Sequence, residues 1–109
     1  MTRITIYKKN RQIIGFKALG HAGYAEAGED IVCASVSVLT INTINSIETF
    51  TSAKSNLSCD EESGMIDFRI VGNPGKDVKL LLDAMVLGLE TIAEDNNYSN
   101  YMDITYEEV

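Results

Sequence analysis

From Ile31 to Phe50 the chain runs twenty residues without a glycine or a proline, and it is rich in β-branched side chains. Such side chains favour strands, but twenty residues is too long for an ordinary strand, so length selects a helix. Val32, Val36, Leu39, Thr43, Ile47 and Phe50 recur at helical spacing, and Ile31, Val38, Ile41 and Ile44 carry the apolar surface further round. A helix of this kind needs cover on more than one side. Either a sheet and a second helix provide it, or part of it faces a partner subunit.

The remaining sequence supplies both. Residues 2–7 alternate, with Ile4 and Ile6 on one face and Arg3, Thr5 and Tyr7 on the other. A polar turn, Lys8-Lys9-Asn10-Arg11, leads to a returning strand from Gln12 to Gly20 with Ile14, Phe16 and Ala18 on one face. Residues 56–60 read as a weak strand, Glu61-Glu62-Ser63-Gly64 as a turn, and Ile66, Phe68 and Ile70 as one side of a stronger strand. Asn73 and Pro74 read as the cap and first position of a second helix. Val78, Leu81, Met85, Leu89 and Ile92 form its stripe, and Tyr101–Tyr106 alternates as a last strand. The order β-β-α-β-β-α-β predicts an α+β fold, a mainly antiparallel sheet packed by two helices. Residues 1–109 read as one domain, with no linker, repeat or low-complexity tract.

Chemistry concentrates just ahead of the long helix. The only histidine, His21, stands at the end of the second strand, and Cys33 lies twelve positions later, beyond an acidic loop containing Gly23 and Gly28. A thiol becomes a good nucleophile as thiolate, which a helix N-terminus or a neighbouring imidazolium stabilises. With the helix starting near Asp30, an N-cap residue type, Cys33 falls in the first turn, where free N–H groups could also hold an oxyanion. His21 would be the general base and acid. Ser35 and Ser37 are rival nucleophiles, further from the helix start and harder to activate. Glu26 and Glu29 read as a solvated loop, and the glycines around them suit a lid. Cys59 lacks such a setting and reads as a small structural hydrophobe.

Gly20-His21-Ala22, followed by Gly28-x-Asp30-Ile31-Val32-Cys33-Ala34-x-Val36-Ser37, resembles the signature of the ribosomal-processing cysteine protease family, Prp. That resemblance covers the whole chain. It implies a small homodimeric endopeptidase that removes the N-terminal extension of a large-subunit ribosomal protein during ribosome assembly. Carried over by position, it implies Cys33 as nucleophile and His21 as its partner, with Gly20, Asp30, Ala34 and Ser37 as supporting or substrate-binding residues.

Charge agrees with a basic substrate. The formal net charge is −7, from 9 Lys and Arg against 16 Asp and Glu, which repels a phosphate backbone and argues against direct nucleic-acid binding. Two cysteines and one histidine are too few for a zinc site, so no metal or organic cofactor is expected. The alternating N-terminal segment predicts neither a signal peptide nor a membrane span, hence a cytoplasmic location with reduced thiols. Two rivals remain: a non-catalytic ribosome-associated module that binds a basic protein, and a thiol acyltransferase using the same Cys33 and His21.

Overall fold

Two strands begin the structure, a computed structural model that describes residues 1–20 and 27–109: β1 (Thr2–Lys9) and β2 (Gln12–Leu19) form a hairpin. Asn10 and Arg11 both take positive φ, 52° and 66°, the left-handed pair that matches a hairpin turn to strand twist. The ladder shifts between Tyr7 and Lys8, so Tyr7 faces Gly15 while Lys8 faces Ile13. This bulge turns Ile13 into the core alongside Phe16 and Ala18, where strict alternation had placed Ile14.

Three more strands complete the sheet in the order β3-β4-β2-β1-β5. β3 (Ser55–Asp60), β4 (Met65–Ile70) and β2 pair antiparallel, and β5 (Met102–Glu108) runs parallel to β1. The expected element order therefore holds, with one parallel pair and a short 3-10 turn at Ser99–Tyr101 added. Helix α1 (Ala27–Phe50) links β2 to β3, and α2 (Gly75–Glu94) links β4 to β5. These crossovers travel toward opposite edges of the sheet from strands that run in opposite directions, so a common handedness puts both helices on one face.

Their shared core holds Ile4, Ile6, Phe16 and Phe68 from the sheet, Val32, Val36, Ile44 and Ile47 from α1, and Val78, Leu82, Met85 and Leu89 from α2. By length and composition the Gly28–Phe50 stretch could span a membrane, with a mean hydropathy of 1.4; here its inner side lies against the sheet. Thr40 and Thr43 are buried in that side, their hydroxyls donating to the carbonyls of Val36 and Leu39 at 2.8 and 2.7 Å. Phe50, expected on the buried stripe, is 77% exposed because α1 has passed the edge of its cover by that point. Asn73 still serves the start of α2, its Oδ1 accepting the Gly75 N–H at 3.3 Å, but Pro74 occupies the cap position rather than the first helical one.

Among the described residues no helix covers the opposite face of the sheet. Tyr7 is buried there all the same, with Arg69 stacked 3.9 Å from its ring centre and its hydroxyl donating to Asp67 at 3.2 Å. Burial raises the Tyr7 phenol above its ordinary pKa. Beside it Gly15 sits so close to β4 that a Cβ would fall 2.0 Å from the Phe68 carbonyl oxygen. Backbone cannot yield as a flexible side chain does. Gly15→Ala is expected to cost about 3 kcal/mol and to lower Tm by more than about 10 °C in a calorimetric scan.

Candidate active site

The end of β2 and the turn between β3 and β4 meet under the first half of α1. Past Leu19, the Gly20 N–H donates to the carbonyl of Gly64 at 3.4 Å, and Gly64 closes the β3–β4 turn with a φ of 68°. Phe16 and Ala18 face the helices, so the period of two points the Gly20 position the same way. A Cβ there would lie 3.6 Å from the Gly64 oxygen and 3.7 Å from Cys33 Sγ. The half-buried, free thiol thus rests on a stretch of backbone with no side chain.

Helix α1 begins earlier than the sequence suggested. Its first residue is Ala27, so Gly28 and Glu29 belong to the helix rather than the loop, and Asp30 is an exposed first-turn residue rather than the cap. Two causes are visible. Glu29 and Asp30 suit the positive end of the helix, and Gly28 lets the first turn close on Tyr101, whose ring would stand 2.6 Å from a Cβ at that position. Glu29 is not a solvated loop residue: its side chain is 14% exposed and takes the ammonium of Met1.

This moves Cys33 into the second turn. The N–H groups without partners belong to the first turn, so the Cys33 N–H points back along the helix to the Glu29 carbonyl. It is not available to an oxyanion, and the helix dipole acts weakly at that depth. What the thiol has instead is the floor made by Gly20 and Gly64.

The other expected residues divide. Asp30, Cys33 and Ser37 follow one flank of α1 at intervals of three and four, with Ser37 half-buried and Ala34 exposed. The Ser35 hydroxyl is committed to the Ile31 carbonyl at 2.8 Å, which weakens it as a rival nucleophile. His21 and residues 22–26 of the lid expected from Ala22 to Glu29 lie outside the described residues, while the backbone of the last three, from Ala27, opens α1. Cys59 is exposed on the edge strand β3, not packed as a small hydrophobe. Tyr98 and Tyr101 pack against the core and Tyr106 lies under Lys8. A cavity of about 530 Å³ opens elsewhere, between the end of α1 and the start of α2 near Phe50, Lys54 and Asp77.

Two residues beside the end of β2 escaped sequence reasoning. Gly64 was legible as a turn but not as a wall of the site, because its contact with Gly20 spans 44 positions. Thr2 is the other: it is 1% exposed, and its hydroxyl has no hydrogen-bond partner.

Comparison with known proteins bears on this geometry. The family described as "Cysteine protease Prp" matches residues 1–103. A ribosomal processing cysteine protease Prp from Staphylococcus aureus is 35% identical over 78 residues, 72% of this chain and 74% of that protein. Among solved structures, S. aureus Prp in complex with a substrate peptide superposes with a TM-score of 0.89 at 27% identity, covering 98% of this chain and all of that one. The same enzyme with a covalently linked product peptide gives 0.85 at 28% identity, over 98% of this chain and 100% of that one. A cysteine whose thiol lies free against the end of a strand, in a fold and sequence shared this widely, has one reading: the chain belongs to the Prp family of ribosomal processing cysteine proteases.

Proposed function

We propose that this protease removes the N-terminal extension of a large-subunit ribosomal protein, with Cys33 as nucleophile and His21 as general base and acid. The observation that carries the reading is the 3.7 Å approach of the Gly20 position to Cys33 Sγ, because the residue that follows Gly20 is the only histidine in the chain. His21 takes the thiol proton, and the thiolate attacks the scissile carbonyl. Collapse of the tetrahedral intermediate returns that proton to the leaving amine. Water then hydrolyses the thioester and restores the thiol. Every atom in this cycle comes from the peptide, one water and two side chains, and it uses no metal or organic cofactor.

Net charge supports the substrate class. At −7 the protein attracts a basic polypeptide and repels the nucleic acid around it, which suits a cytoplasmic enzyme meeting ribosomal proteins before or during assembly. Incubating a ribosomal protein that carries its extension with this enzyme, followed by mass spectrometry, should give one cut. Cys33→Ala should give none, and His21→Ala should be slower by about 10²- to 10⁴-fold. Stable binding with no cut by the wild type would instead favour a binding module.

We also infer a homodimer formed through the helical layer. Ile31, Ala34, Val38 and Ile41 line the outer side of α1 at helical intervals, and Ile31, Val38 and Ile41 are 50%, 69% and 46% exposed. On α2, Leu80 and Leu87 are each 69% exposed. Apolar surface of this extent on one layer marks an interface, and the family resemblance makes a second copy its occupant. Val38→Glu is expected to convert a dimer to a monomer in sedimentation equilibrium while leaving the fold's circular dichroism unchanged.

A further inference from the structure

Thr2 occupies a place where a purely structural chain would carry valine. The row of β1 side chains that faces the helices is Thr2, Ile4 and Ile6, all buried to 1% or less. Among the described residues the Thr2 hydroxyl is the one buried side-chain polar atom with no partner. Leaving a buried hydroxyl unpaired is costly, whereas an apolar group of the same shape there costs nothing, so such an atom calls for a role.

Register supplies one. Ile6 faces Phe16, Ile4 faces Ala18 and Arg3 faces Leu19, so the next position along, Thr2, falls beside Gly20 on the helix-facing side. Neighbouring side chains across a ladder stand about 5 Å apart at Cβ, and the Gly20 position is 3.7 Å from Cys33 Sγ. Because Gly20 has no side chain, nothing of its own stands between the threonine and the thiol. The elements around the thiol carry the carboxylates Glu29 and Asp30 on α1 and Asp60, Glu61 and Glu62 at the β3–β4 turn, and the cation Arg3 next to Thr2 on β1. The Met1 ammonium is already on Glu29, which leaves hydroxyl donors to be considered for the sulfur. Helix N–H groups are not among those donors, since Cys33 lies in the second turn.

Resting on Cys33 as the nucleophile, we propose that Thr2 is a positioning residue whose hydroxyl donates to the Cys33 thiolate. In this structure the hydroxyl has no partner, sulfur included; the donation is made once the proton has left Sγ. A donor to the charged form lowers a pKa. Ionisation transfers the Sγ proton to the general base; the threonine keeps its own proton throughout and shares it with sulfur.

The test is the pH dependence of iodoacetamide alkylation at Cys33, read by mass spectrometry in a Cys59→Ser background. Thr2→Val should raise the midpoint by about one pH unit and Thr2→Ser should restore it, while thermal unfolding shows Thr2→Val at least as stable as the parent. A Thr2→Val midpoint equal to the parent's overturns the proposal. So does a lower Tm for that variant, which would give the hydroxyl a structural partner. If Cys33→Ala still cleaves peptide while Thr2→Val shifts the midpoint, the nucleophile assignment falls and the thiolate donor stands.

Discussion

Where α1 lies on the end of β2 decides where the thiol goes: the Gly20 position stands 3.7 Å from Cys33 Sγ, in ordinary contact. The Gly20 N–H also reaches the Gly64 carbonyl at 3.4 Å, which draws the β3–β4 turn against β2. Three segments far apart in sequence are thereby gathered under one turn of helix. The inner side of α1, with Val32 and Val36 fully buried, fixes the rotation of the helix about its axis. Given that rotation, Cys33 is carried to the flank above Gly20 and cannot turn away without lifting Val32 out of the core.

Much of the fold was legible because local patterns agreed with the whole. The glycine-free run from Ile31 had to be a long helix, and the alternation around Ile4 and Ile6 had to be a strand with one covered side. Where local reading failed, a contact between distant residues had overridden it. The bulge at Tyr7 and Lys8 exchanged Ile14 for Ile13. Tyr101 extended α1 backward by packing on Gly28, and no pattern around Asp30 could have announced a ring 71 positions away.

For the site, sequence identified the two reactive residue types and their order, but not what surrounds the sulfur. It assigned activation to a helix terminus. In the structure the thiol stands a full turn beyond that terminus, against the backbone of Gly20 at the end of β2, where the β3–β4 turn also arrives. Reading a cysteine by the helix it sits on was therefore too local, and the sheet beneath it mattered more.

The parallel pairing of β5 with β1, from Thr2 opposite Met102 to Lys8 opposite Glu108, has a consequence for synthesis. Of the five strands β5 is translated last, and Tyr101, which buttresses the first turn of α1, emerges just before it. Until both have left the exit tunnel, β1 is an unpaired edge and the helix that bears the thiol lacks its support. In the order of synthesis, the support of the helix that bears the thiol therefore comes after the first four strands and both helices.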